Sequence, residues 1–300
     1  KNGIIGENPM KMPSDSSKPA DPGGHIEWNR FIPGGDHRWI MGLRRGDVAT
    51  FLAPTQSAHA VRAERTGFLS SEPNKYAALT TAAEPALLES IDLANSLGAE
   101  IKRSGSLLDR MLALGRSWEP DFIFLVPDKA GVPRIEGGVV CFPSHWSLTD
   151  KLGGTIDDTH GPVPGLNAAL GRQIATFLNK LVAGDAWCRE NAGFSLSPER
   201  NQHPDKPKQT MGMATSCNEV WVRLEHQMLH KLPRSGAVLF FIRVEVVPLV
   251  LALESPTITE NLTRLLRTMS PEAAAYKGLA LARNSIIDTI ITCGKTRSAP

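Results

Sequence analysis

The chain has no excess of either charge: 33 basic residues stand against 31 acidic ones among 300. Nothing in that balance points to nucleic acid or an anionic membrane surface as the main partner. Its four cysteines (Cys141, Cys188, Cys217, Cys293) are scattered, with no C-x-x-C pair. A structural zinc site, an iron–sulfur cluster and a disulfide framework are therefore not expected, and a reducing, cytoplasmic setting fits. The longest apolar run, 237–253, is broken by Arg243, Glu245 and Pro248, so it cannot cross a bilayer as a helix. No signal-peptide pattern opens the chain. There is no G-x-G-x-x-G after a strand, no Walker lysine loop and no G-x-S-x-G elbow, so nucleotide binding and elbow-type hydrolysis are not expected.

The residues present can bury a large core. Residues 1–24 mix Pro, Ser, Asp, Lys and Gly without apolar period and read as a flexible tail. Residues 25–300 read as a single α+β domain. Trp28, Phe31, Trp39 and Ile40 are its first apolar anchors. Met41–Arg44 is a short extended candidate, and Asp47 can cap the helix after it. Three- and four-residue apolar steps from 76 to 114 predict helices, with stops near Gly98 and Gly115. Phe122–Val126 and Ile135–Phe142 predict a hairpin, in which Gly137 and Gly138 suggest a bulge or a close backbone approach. Ser144 is positioned to cap a short helix holding Trp146 and Leu148. Leu166–Leu181 is an amphipathic helix, with Trp187, Arg189 and Asn191 near its end. Residues 195–215 read as a mobile loop. Helices are expected again over 257–269 and from Pro271 onward.

The organising stretch is 220–249, two strands around Leu232–Gly236. Alternation places Arg223, Glu225 and Gln227 on one face and Val222, Leu224 and Met228 on the other. A five-residue loop would set Glu225 opposite Arg243 and Arg223 opposite Glu245, two cross-strand ion pairs on a solvated face. The same residues would instead suit a polar pocket lining, and spacing alone favours the ion pairs. His160 opens Gly161-Pro162-Val163-Pro164-Gly165, a stiff frame that suits a metal ligand, although loop histidines are more often ordinary surface residues. His226-x-x-x-His230 lies in a strand-like run and is a weak zinc candidate, and Cys141-x-x-x-His145 is weaker.

Several segments together resemble a known family: GLR (42–44), EPDF (119–122), CFPSHWSLTDKLG (141–153), HGPVPG (160–165), WCREN (187–191), RLEHQ (223–227), LPRSGAVLFFIR (232–243) and SPEAAAYKGL (270–279). In order, from about Trp39 to about Leu281, they look like the alpha subunit of heme-dependent oxidative N-demethylase, the dimethylamine monooxygenase type. The resemblance implies heme b held in a PAS-like antiparallel sheet with N- and C-terminal helical additions. It implies a monooxygenase that removes a methyl group from a small methylated amine with O2, releasing formaldehyde. NADPH, flavin and [2Fe–2S] would lie on reductase or ferredoxin-type partner subunits. On that basis His160 is the expected iron ligand, with an acceptor on its other ring nitrogen. Arg189 and Arg223 would meet the propionates, and Phe142 and Trp146 would pack on the porphyrin. Glu225 would bind the amine or relay protons, and Gln227 would donate to bound oxygen. Met228, Val244-Glu245 and 195–215 depart from the family's pattern. A heme-PAS gas or redox sensor and a heme-free scaffold are the alternatives.

Overall fold

The computed structural model describes residues 26–297, and the tail expected over 1–24 lies outside the described residues. Seven strands form one antiparallel sheet. They are β1 (Arg44–Arg45), β2 (Ala77–Leu79), β3 (Asp121–Pro127), β4 (Pro133–Val139), β5 (Ala186–Ser195), β6 (Trp221–Lys231) and β7 (Val238–Pro248). Their spatial order is β1-β5-β6-β7-β3-β4-β2. The α+β class is thus as expected, with three more strands than the two predicted hairpins supply. None of the helices among the described residues is long and apolar enough to cross a membrane.

Two apolar cores pack against the sheet. Phe122, Phe124, Val139 and Phe241 join the helices Ala58–Ser71, Glu84–Ser96 and Leu107–Ser117. Val222, Leu224 and Val247 join the helices Pro256–Thr268, Pro271–Tyr276 and Arg283–Arg297. The caps follow the sequence: Asp47 accepts from the Thr50 amide, Ser106 and Asp109 form a capping box, and Gly98 adopts φ +95° just past its helix.

The predicted helix around Trp146 does not form. Ser144 makes a parallel bridge to Gln202 instead, leaving only the short turn Thr149–Lys151. This also pins the loop read as mobile: Asn201, Gln202 and His203 are buried, and the Asn201 amide donates to the Tyr76 hydroxyl at 2.9 Å. The two glycines in β4 mark a close backbone approach. A Cβ on Gly138 would stand 2.3 Å from the Phe122 carbonyl oxygen.

A buried ion pair joins this sheet to the helix Ala58–Ser71. Arg65 donates to Asp121 at 2.8 Å, and Asp121 also accepts from the Cys141 and Phe142 amides at 2.8 and 2.9 Å. Both side chains are essentially solvent-free. Asp121→Ala would strand a buried guanidinium and free two amides. Urea unfolding is expected to show a loss of about 3–5 kcal/mol.

The register of the β6–β7 hairpin differs from the expected one by one residue. Leu232 pairs with Ala237 around four loop residues, closed by a bond from the Gly236 amide to the Leu232 carbonyl, with Gly236 at φ +68°. Glu225 therefore faces Val244, and Arg223 faces Val246. Directly opposed residues share a face, so the slip moves Arg243 and Glu245 to the other side of the sheet. The two cross-strand ion pairs do not exist. Arg243 instead donates to the Phe51 carbonyl, and Glu245 lies 3.5 Å from His226.

Candidate cofactor and substrate site

Strand β5, which sequence reading left as the end of a helix, completes the site. Asn191 pairs with Glu225, and Arg189 with Gln227. Alternation then places Arg189, Asn191, Arg223, Glu225 and Gln227 on one face of two adjacent strands. Glu225 is the centre of the group. Its carboxylate accepts from Gln227 at 2.9 Å, from Asn191 at 3.2 Å and from the Arg223 Nε at 3.4 Å. Two side-chain amides and a guanidinium hold a half-buried carboxylate in one orientation.

The two arginines differ. Arg223 is buried and already bonded to the Arg200 carbonyl at 2.6 Å, the Phe142 carbonyl and Glu225. Among the described residues the Arg189 guanidinium has no hydrogen-bond or ion-pair partner, and its Nε is buried. Burial pushes Arg189 below the usual arginine range, while Glu225 and Glu190 oppose that shift. Glu190 is itself on the opposite face, in a two-bond pair with Arg44 at 2.6 and 3.0 Å. A partly buried guanidinium with a buried, unpartnered Nε is a place where an anion could be held.

His160 ends the helix Ile156–His160, which Thr155 and Asp158 cap reciprocally. The stiff segment predicted after it is tied down at both ends: the Val163 amide bonds the His160 carbonyl, and Trp39 Nε1 donates to the Pro164 carbonyl at 2.9 Å. The imidazole Nδ1 is buried and has no partner, so the expected second acceptor is absent among the described residues. Burial and the nearby Arg189 charge hold His160 below the usual imidazole range, which keeps it neutral at pH 7.

The remaining predicted residues fall elsewhere. Phe142 is 2% exposed, with its ring against Phe68 and Arg65, and it reaches the site only through its carbonyl. Trp146 is half-buried against the first core. Sequence reasoning missed Asn191, whose role needed the β5 pairing, and Lys277, which follows the helix Pro271–Tyr276. Lys277 Nζ donates to the Ala192 carbonyl at 3.3 Å and lies 5.8 Å from the Trp39 ring centre.

His226 and His230 form no metal site. His226 packs edge-on against Phe31, and His230 meets the Asp185 carbonyl. Among the described residues no three His, Cys, Asp or Glu side chains gather as a metal cluster. A porphyrin iron needs only one imidazole from the protein. The donor set fits heme on two counts: a buried imidazole held neutral, and beside it a guanidinium with no carboxylate partner.

Fold and site together define a class, an α+β protein whose antiparallel sheet carries a polar face around a fixed carboxylate. The sequence matches the family described as haem-dependent oxidative N-demethylase, alpha subunit-like, over residues 62–287. The chain belongs to that family.

Proposed function

We propose that this chain is the heme-bearing oxygenase component of an oxidative N-demethylase acting on a small methylated amine. The observation that carries the reading is the unpartnered pair, His160 Nδ1 and the Arg189 guanidinium, beside the Glu225 carboxylate. His160 would supply the iron ligand and Arg189 a propionate contact. Arg223, engaged by three protein acceptors, would hold Glu225 rather than a propionate. The five central strands, in the order β4-β3-β7-β6-β5 with helices between β4 and β5, support a PAS-like reading of the sheet.

Heme, when bound, supplies the activation of dioxygen at iron with electrons from outside the chain. The balance is one tertiary or secondary amine, O2, two electrons and two protons giving the demethylated amine, formaldehyde and water. Glu225 attracts the ammonium form and can accept its proton, freeing the nitrogen lone pair for chemistry. Asn191 and Gln227 keep the carboxylate aimed, and Gln227 retains a further N–H for an oxygen acceptor. Electron-donor subunits carrying NADPH, flavin and [2Fe–2S] chemistry complete the cycle, in line with the alpha-subunit designation of the family. This polar face favours turnover over the sensor alternative, which would need an apolar one.

Formaldehyde release from a panel of methylated amines, with a matched reductase, tests the proposal. NADPH-dependent formaldehyde from at least one amine is expected, and a heme-loaded protein that releases none from any amine would overturn it. Arg189→Met is expected to weaken heme retention by about tenfold, read by heme transfer to apomyoglobin.

A further inference from the structure

Lys277 lines a cavity of about 400 Å³, together with His145, Ser195, Gln202, Lys208 and Tyr276. Dimethylamine, with three heavy atoms, would fill little of it. Its charge is one-sided. Lys206 and Glu199, also on its wall, satisfy each other at 2.6 Å, which leaves Lys208 and Lys277 as cations with no carboxylate within ion-pair distance. Lys277 has a single neutral acceptor, the Ala192 carbonyl, for its three N–H bonds. Burial pushes it below the usual lysine range, and the Glu225 charge acts on both it and Tyr276. A partly buried ammonium with N–H bonds uncommitted and no carboxylate in contact can hold an anion.

The two charged groups are anchored at neighbouring positions. Asn191 holds the Glu225 carboxylate, and the next residue of β5, Ala192, holds Lys277. His145, also on the wall, sits at φ 59°, a conformation that non-glycine residues seldom take, with its amide fixed to the Gln202 carbonyl.

Resting on the demethylase reading, we infer that the preferred substrate is a methylated amine that also carries a carboxylate, of the N-methylated amino acid class. Its nitrogen lies at Glu225 and its carboxylate at Lys277, with the cavity as its entrance. For N,N-dimethylglycine the reaction consumes O2 with two electrons and two protons from the external donor, and yields N-methylglycine, formaldehyde and water.

The test is calorimetric binding of N,N-dimethylglycine and of dimethylamine to the heme-loaded and heme-free protein, in wild type, Lys277→Met and Lys277→Arg. The wild type should bind N,N-dimethylglycine at least about tenfold tighter than dimethylamine, and Lys277→Met should remove most of that preference. Lys277→Arg should retain it. Lys208→Met, on the exposed wall, should reduce it only partly and serves if Lys277→Met does not fold. Equal binding of the two amines, or a preference indifferent to Lys277, overturns the inference. Formaldehyde assays on the same samples separate the two claims. Turnover of dimethylamine without a Lys277-dependent preference leaves the demethylase and removes the amino-acid site. Lys277-dependent binding without turnover does the reverse.

Discussion

Heme-loaded Glu225→Gln protein should release formaldehyde more slowly than wild type by about 10²- to 10⁴-fold. Gln fills the same space and keeps an acceptor for Asn191 and Gln227, which bond the carboxylate at 3.2 and 2.9 Å. The face should therefore survive, and heme content should stay close to that of the wild type. What is lost is the negative charge that draws in the ammonium and the base that takes its proton. Loss of attraction raises KM, and loss of the base lowers kcat, so steady-state kinetics apportion the two. A rate within twofold of wild type would reduce Glu225 to a partner of Arg223.

The second large effect is at His160. His160→Ala should emerge from gel filtration with little or no heme, an affinity loss on the order of 100-fold or more. Added imidazole should restore part of the heme band, because the space left by the side chain admits the free ligand. That rescue separates a missing ligand from a misfolded chain. Acid should act in the same direction. Burial and Arg189 hold the imidazole below its usual range, so in the folded protein it stays neutral into mild acid. Iron and proton compete for one ring, so heme affinity is level at neutral pH and weakens, by about tenfold per pH unit, only below that depressed value. Heme retained by His160→Ala without imidazole would place the iron ligand elsewhere.

The sequence disclosed some of this architecture and hid the rest for physical reasons. The strands β3, β4, β6 and β7 carry Val, Ile and Phe at their buried positions and were legible as two hairpins. Strand β5 was not. Its site face carries Arg189 and Asn191, and Ala192-Gly193 has little strand propensity, so its identity comes from ten paired residues of β6. The hairpin register slipped because four loop residues, not five, separate the closing pair. That single step decided whether Glu225 met Arg243 or stood with Asn191. Arg223, Glu225 and Gln227 were legible as one polar face, yet the choice between a solvated and a buried face needed the neighbours. Lys277 was invisible, because only the fold carries the end of the Pro271–Tyr276 helix to the edge of β5.

The central claim is that His160 and Arg189 hold an iron porphyrin against this sheet. Titration of the purified wild-type chain with hemin, followed at the Soret band, tests it most directly. The account predicts a saturating band with its end-point at one heme per chain. A featureless titration that rises without an end-point, as for hemin free in buffer, would contradict it.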